Sequence, residues 1–229
     1  MLTRFCCAIA LAASLCFSAA LLIQGAAVAA AVSGQAVIVD GDTLQIGRVI
    51  VRLHGIDAPE LGQKCQLPKG SWDCSKAAID ALSMMTAGET VHCEPRQRDD
   101  YGLLIARCFT KDEPDIGAKL VASGLAWAFV KYSADYIDLE MKPRREEIGI
   151  WQSKTQTPWE YRAWRRETAR QVAPEGCPIK GNIDAKGQKI YHAPWSRQYA
   201  LAKIDQAKGE RWFCSEAEAI DSGWRASHR

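Results

Sequence analysis

The chain has 229 residues, 48% of them hydrophobic and 24% charged, with a formal net charge of +2. That length suits one substantial domain plus an accessory unit. The near-balance of charge excludes a uniformly basic chain, yet residues 31–152 carry 14 Lys+Arg against 18 Asp+Glu, a net of −4, whereas residues 153–229 carry 14 against 9, a net of +5. Nucleic-acid domains ordinarily show a basic footprint, so the first portion lacks one unless a bound cation and the tail provide it.

Arg4 is followed by an apolar run over residues 5–23 and then by small residues over 25–31. This reads as a secretory signal peptide over residues 1–31, which places the mature protein outside the cytoplasm, secreted or periplasmic. The same run is long enough for an uncleaved anchor, since roughly 18 to 20 apolar residues span a bilayer. Once the signal is cleaved, a monomer without stable membrane insertion is expected.

Of nine cysteines, Cys6, Cys7 and Cys16 leave with the signal, and Cys65, Cys74, Cys93, Cys108, Cys177 and Cys214 remain. An even number in an oxidising compartment predicts three disulfides. Cys65 and Cys74 bracket a loop with Pro68 and Gly70. Cys93 and Cys108 lie on strand-like runs that can pair across a hairpin, which leaves Cys177 for Cys214.

Two acidic segments stand close together, Val39-Asp40-Gly41-Asp42-Thr43 and Val51-Arg52-Leu53-His54-Gly55-Ile56-Asp57-Ala58-Pro59-Glu60. A Gly47-Arg48 turn predicts a hairpin of residues 43–46 and 49–53, which brings Asp42 toward Asp57. Pro59 fixes its own φ and keeps Ala58 out of the helical region, so the chain turns where Asp57 and Glu60 sit. A helix is predicted over 75–86 with Gly88 beyond its end, and another from Asp115 to Ser123 closed by Gly124. A third, from about Ser133 toward Ile148, contains Pro143 and should kink or split there, and Trp151 of Gly149-Ile150-Trp151 is expected to plug the core.

The segment Asp-Gly-Asp-Thr, then Arg-Leu, then Ile-Asp-x-Pro-Glu, with Tyr101-Gly102 and Gly149-Ile150-Trp151 following, resembles the staphylococcal nuclease-like (thermonuclease) family over about residues 34–152. The resemblance implies an α+β fold, an OB-like five-stranded barrel with about three helices. It also implies Ca2+ held by Asp42, Asp57 and the Ala58 carbonyl, and these oxygens suit a hard divalent cation. It implies that Glu60 orients or deprotonates the attacking water, that Arg52 holds the phosphate, and that Tyr101 and Tyr132 contact substrate. The alternative for Arg52 is a strand-end ion pair to Asp57.

One residue of the pattern is missing. Active members carry Arg directly after Tyr-Gly, where this chain has Leu103, and Asp100 stands where a basic residue is common. Such an arginine can be worth about 10³ to 10⁵ in rate. Arg107 lies about 13 Å further along a strand, so Arg96 or Arg98 is the better substitute. Leu103→Arg is therefore expected to raise activity at least about tenfold.

Beyond residue 152, Trp159, Tyr161 and Trp164 alternate with Arg162, Arg165, Arg166 and Arg170 in a predicted linker helix spanning 153–175. It reads either as a solvated basic helix with its aromatics docked on the barrel or as a nucleic-acid platform. Residues 176–229 read as a small disulfide-linked module. They resemble tails of secreted thermonuclease-like proteins and, more distantly, the cysteine-bearing module of Ada-type repair proteins. Cys177, His192, Cys214 and His228 are thus an alternative zinc set, although no Cys-x-x-Cys pair exists. Three functional readings follow: a calcium-dependent phosphodiesterase acting on DNA or RNA, weakened at Leu103; a non-catalytic barrel binding nucleic acid or an acidic polysaccharide, since family resemblance extends to exopolysaccharide functions; and an envelope protein making protein contacts.

Overall fold

The computed structural model describes residues 31–99 and 102–227. The predicted signal peptide up to residue 30, and Asp100, Tyr101 and His228, lie outside them. Strands β1 (Val32–Gly34) and β2 (Ala36–Ile38) are followed by the hairpin of β3 (Thr43–Ile46) and β4 (Val49–Leu53). Gly47 turns that hairpin at φ +59, a conformation that costs glycine little. Next come β5 (Ile56–Asp57), the short pair β6 (Cys65–Gln66) and β7 (Ser71–Trp72), and helix α1 (Cys74–Thr86). Strands β8 (Val91–Arg98) and β9 (Leu104–Phe109), helix α2 (Ile116–Ala122) and β10 (Trp127–Ala128) complete the portion that carries the acidic segments.

The main sheet runs β1-β8-β9-β4-β3-β2. Its six strands correspond to the five of the expected barrel, because β1 and β2 are one extended run interrupted only at Gln35. One half pairs with β8, as Val32 opposite Cys93, and the other with β3, as Ile38 opposite Leu44. The same short segment therefore forms both margins of the sheet and closes it, leaving the OB-type barrel without a free edge. Leu44, Val51, Leu53 and Ile56 face inward with almost no exposure. Burial of each such side chain contributes about 1.5 to 3 kcal/mol.

Helices α1 and α2 cover the barrel and are capped as their sequences require. The Asp73 and Asp115 carboxylates accept the backbone N–H of Lys76 and Ala118, and Gly124 leaves α2 at φ +66. A β-carbon at Gly149 would lie 2.0 Å from the Gly124 carbonyl oxygen, so these two glycines press backbone against backbone. Ile150 N–H then bonds Gly124 O at 2.9 Å.

The third predicted helix is shorter than expected. A 3-10 turn (Ile137–Glu140) leads into α3 (Met141–Arg145), and Pro143 sits in the first turn of that helix. There its missing N–H has no partner within α3 to lose, and the predicted helix is split, as expected, into the 3-10 turn and α3. The core plug is Ile150, 1% exposed, and not Trp151. Trp151 is half-buried beside Trp127 and covered by the Arg144 guanidinium at 4.2 Å.

Helix α4 (Pro158–Arg170) opens with a capping box of Thr157 and Glu160 and with proline in its first turn. The tail then forms a four-stranded sheet of β11 (Ile179–Ile183), β12 (Lys189–His192), β13 (Arg211–Phe213) and β14 (Arg225–Ala226), with α5 (Glu216–Asp221) against it. Ile179, Tyr191, Trp195, Phe213 and Trp224 make its own apolar cluster.

Disulfides join Cys65 to Cys74, Cys93 to Cys108 and Cys177 to Cys214. The last removes both sulfurs from the alternative zinc set, and His192 Nε2 is engaged by Asn182 Oδ1 at 2.6 Å. Three disulfides fit an oxidising compartment. Among the described residues no helix is long and apolar enough to cross a membrane.

Candidate active site

The acidic segment before β3 is folded into a tight turn because Thr43 O accepts the N–H groups of both Val39 and Asp40. Asp42 O in turn accepts Leu53 N–H at 2.8 Å, which ties the turn to the end of β4. In the hairpin register Thr43 faces Arg52, so Arg52 projects beside Asp42. Asp57 sits on β5, whose partner is β10, with Trp127 opposite it. After Pro59 the chain is held by Gln63, a 1%-exposed amide that accepts Glu60 N–H at 2.9 Å and donates to Gln156 O at 2.7 Å. That amide links the acidic turn to the segment leading into α4.

These elements bring Asp42, Arg52, Asp57, Ala58 and Glu60 together. Arg52 Nη2 donates to Asp57 Oδ1 at 2.7 Å and to Asp42 Oδ2 at 3.4 Å, so the strand-end ion pair weighed above does form. Asp42 Oδ2 also accepts Ala58 N–H at 3.0 Å, and its Oδ1 accepts the Thr43 hydroxyl at 2.9 Å. Burial alone would raise the Asp42 pKa, but the Arg52 charge and these hydrogen bonds outweigh it and hold the carboxyl below its ordinary range.

Helix α4 adds a residue that motif reasoning did not single out. Arg162 enters the same pocket and donates from Nη2 to Asp57 Oδ2 at 2.7 Å, and from Nη1 to Asp57 Oδ1 at 3.1 Å and Glu60 Oε1 at 2.5 Å. The expected solvated basic helix thus has one arginine turned inward. Of its aromatics, Tyr161 is buried, whereas Trp164 is 52% exposed. Burial opposes the charge on Arg52 and Arg162, but the surrounding carboxylates prevail and raise both pKa values above the usual arginine value. The excess positive charge of the tail and the multi-arginine helix beside an acidic barrel were the only sequence signals pointing to Arg162.

The substitutes expected for the missing arginine are engaged elsewhere. Arg98 Nη1 donates to Gly102 O at 2.7 Å within its own turn, Arg96 lies 3.9 Å from Glu94, and Arg107 pairs with Asp115 and Asp135. Leu103 lines a cavity of about 460 Å³ together with Arg48, Arg98 and Arg225. Arg52 and Arg162 line a neighbouring cleft of about 610 Å³ with Phe129, Lys131, Tyr132 and Trp159. In it Phe129 stacks on Trp159, with centroids 5.5 Å apart and planes 12° apart, and the half-exposed Tyr132 meets Phe129 edge-on.

Four buried carboxylates, Asp40, Asp42, Asp57 and Glu60, share this corner with two guanidinium groups. The excess negative charge and the all-oxygen donors fit a hard divalent cation such as calcium. The carboxylates are drawn together here by arginine, and among the described residues no three acidic, histidine or cysteine side chains are already set as a metal cage.

Comparison with known proteins agrees with the fold and the motif. The family described as "Staphylococcal nuclease homologue" matches residues 50–153. A protein of Rhizobium meliloti (strain 1021) named "Succinoglycan biosynthesis protein ExoI" is 32% identical over 143 residues, which is 60% of this chain and 73% of that protein. An "Uncharacterized endonuclease" of Haemophilus influenzae (strain ATCC 51907 / DSM 11121 / KW20 / Rd) is 28% identical over 135 residues, 56% of this chain and 69% of that one. With the closed barrel, the converging Asp42, Arg52, Asp57 and Glu60 and these similarities together, the chain belongs to the staphylococcal nuclease family.

Proposed function

We propose that the protein is an exported, calcium-dependent phosphodiesterase that hydrolyses single-stranded DNA or RNA. The observation that carries this reading is the convergence of Arg52 and Arg162 on the Asp57 carboxylate, with Glu60 paired to Arg162, beside an open, aromatic-lined cleft that both arginines line. Asp42, Asp57 and the Ala58 carbonyl would hold calcium, which supplies charge neutralisation to the phosphate when bound.

The chain's own residues then divide the work. Arg52 binds a non-bridging phosphate oxygen with N–H donors beyond those spent on Asp57, and neutralises charge gathering on the pentacoordinate phosphorus. The Glu60 carboxylate takes a proton from water as the water oxygen bonds to phosphorus, and the opposite P–O bond breaks with its electron pair leaving on the departing oxygen. Gln63 accepts the Glu60 N–H and so fixes the backbone from which the carboxylate reaches Arg162. Phe129, Tyr132 and Trp159 offer ring faces and edges to unstacked bases. Export by the N-terminal segment accords with the three disulfides.

The test is hydrolysis of a labelled single-stranded oligonucleotide by the mature protein with and without calcium. Calcium-dependent cleavage lost in Glu60→Gln is expected. A protein that binds the oligonucleotide without cleaving it would move the reading to a binding module. A second reading, binding of an acidic polysaccharide in an exopolysaccharide pathway, is favoured by one observation, the relative named for succinoglycan biosynthesis. It predicts retention on an acidic glycan and no cleavage of nucleic acid.

A further inference from the structure

We infer that Arg162 is a second phosphate-binding residue of this site, delivered to the barrel by a helix outside the family domain, and that its ligand is the scissile phosphodiester. The inference rests on the phosphodiesterase reading above. Arg162 lies beyond residue 153, where the family match ends.

Its placement matches that of Arg52 from the other side of the pocket. Both guanidinium side chains are 16% exposed, both grip Asp57, and both line the cleft. Arg162 directs three N–H contacts at Asp57 and Glu60, which fixes its plane. A guanidinium carries five N–H donors, so two remain for a ligand. A planar fork held by carboxylates on one edge presents its remaining donors in a fixed direction, and little rotamer freedom is then lost on binding an anion.

The helix that carries it is anchored at several points. Gln63 Nε2 bonds Gln156 O at 2.7 Å, and Gln66 N–H bonds Thr155 Oγ1 at 2.9 Å just before the helix starts. Arg165 donates to Pro194 O in the tail, and the Arg166 guanidinium lies 4.9 Å from the Trp195 ring. Trp159, one turn before Arg162, stacks on Phe129 of the barrel. The guanidinium is therefore held between two fixed bodies.

Charge gives the reason such a residue is needed. Arg52 alone would face Asp40, Asp42, Asp57 and Glu60, a corner that repels a polyanion. A second guanidinium lowers that repulsion at the point where the phosphate must arrive, and Lys131 adds a further cation along the cleft, where Arg166 is paired with Glu216. The acidic barrel and the basic tail are in this way two parts of one site.

The experiment uses the full mature chain with calcium and single-stranded oligonucleotide as probe. It compares wild type, Arg162→Gln, Arg162→Lys and, as a control on the same helix, the exposed Arg170→Gln. Arg162→Gln is expected to lower kcat/KM by about 100-fold or more, with Arg162→Lys partly restoring it and Arg170→Gln unchanged. In a Glu60→Gln background that does not cleave, the slope of log affinity against log salt should fall by about 0.7 on losing Arg162, the signature of one lost phosphate contact on a single strand. Melting temperature separates this from simple misfolding. Should Arg162→Gln fail to fold, Arg162→Lys at an unchanged melting temperature carries the test through its lower kcat.

Wild-type rate and salt slope in Arg162→Gln would make the residue a structural strut and overturn the inference while leaving the phosphodiesterase reading intact. Higher activity and tighter calcium binding in that variant would show that the guanidinium obstructs the site, and would overturn it as well. A wild type that neither cleaves nor binds the oligonucleotide overturns both.

Discussion

Arg162 and Asp57, 105 residues apart in the chain, form a two-point bridge in which Nη1 meets Oδ1 at 3.1 Å and Nη2 meets Oδ2 at 2.7 Å. The Asp57 side chain is 1% exposed, so the bridge is shielded from water on the carboxylate side. Asp57→Ala would leave two buried guanidinium groups short of a partner. The expected loss is about 3 to 5 kcal/mol, measured by urea unfolding of the oxidised protein, with a smaller loss in Asp57→Asn.

Calcium should raise the melting temperature of the wild type at millimolar concentration, and Asp42→Asn should abolish that rise. The carboxylate lost is held ionised by Arg52 and by hydrogen bonds from Thr43 and Ala58. A thermal shift that persists in Asp42→Asn would mean the cation binds elsewhere.

The effect of Leu103→Arg now has a different expected size. The motif alone predicts a gain of about tenfold, but Leu103 borders the cavity next to the one that Arg52 and Arg162 face. A change in kcat/KM of less than about threefold is expected, read with the same oligonucleotide assay. A large gain would show that a side chain from position 103 reaches the scissile phosphate after all.

How much of this was legible in the sequence depends on separation along the chain. The hairpin that sets Arg52 against Thr43 follows from one Gly-Arg turn and an alternating pattern, and its register is as expected. The caps at Asp115 and Gly124 are local chemistry as well. The split near Pro143 is legible from the proline alone, but the exact junction at Glu140–Met141 and the short length of α3 are not. Nothing within α4 distinguishes Arg162 from its neighbouring arginines, whether the helix is taken as a solvated basic helix or as a nucleic-acid platform. Only the docking of α4 through Gln156 and Trp159 turns that face toward Asp57.

Removing the Cys93–Cys108 bridge with serines should destabilise the barrel by about 3 kcal/mol, the entropy of closing a loop of roughly 15 residues. Its sequence separation is 15, and it staples β8 to β9 where Cys93 lies directly opposite Cys108. Calorimetry of the double variant against wild type measures the loss, and peptide mapping without reductant should return the three pairs intact in the parent.

Acid should weaken the tail before it weakens the barrel. Burial, reinforced by the nearby Lys180 charge, lowers the His192 pKa below its ordinary value. The unfolded chain takes up its proton first, near pH 6.5, so stability present above that pH is lost as pH falls toward the lower folded value. His192→Gln should flatten the change in Trp224 and Trp195 fluorescence over that window.

The single strap that supplies both β1 and β2 makes the position of N-terminal trimming decisive for solubility. Val32 pairs with Cys93 and Ala36 with Ile46, so a few residues hold two seams of the cylinder at once. A product trimmed as far as residue 38 would keep its hydrophobic interior but expose the unpaired margins of β8 and β3. Bare strands of that kind pair with their counterparts on other molecules. Over-trimming by seven residues would thus turn a closed barrel into an open sheet prone to self-association, with the carboxylate corner still in place.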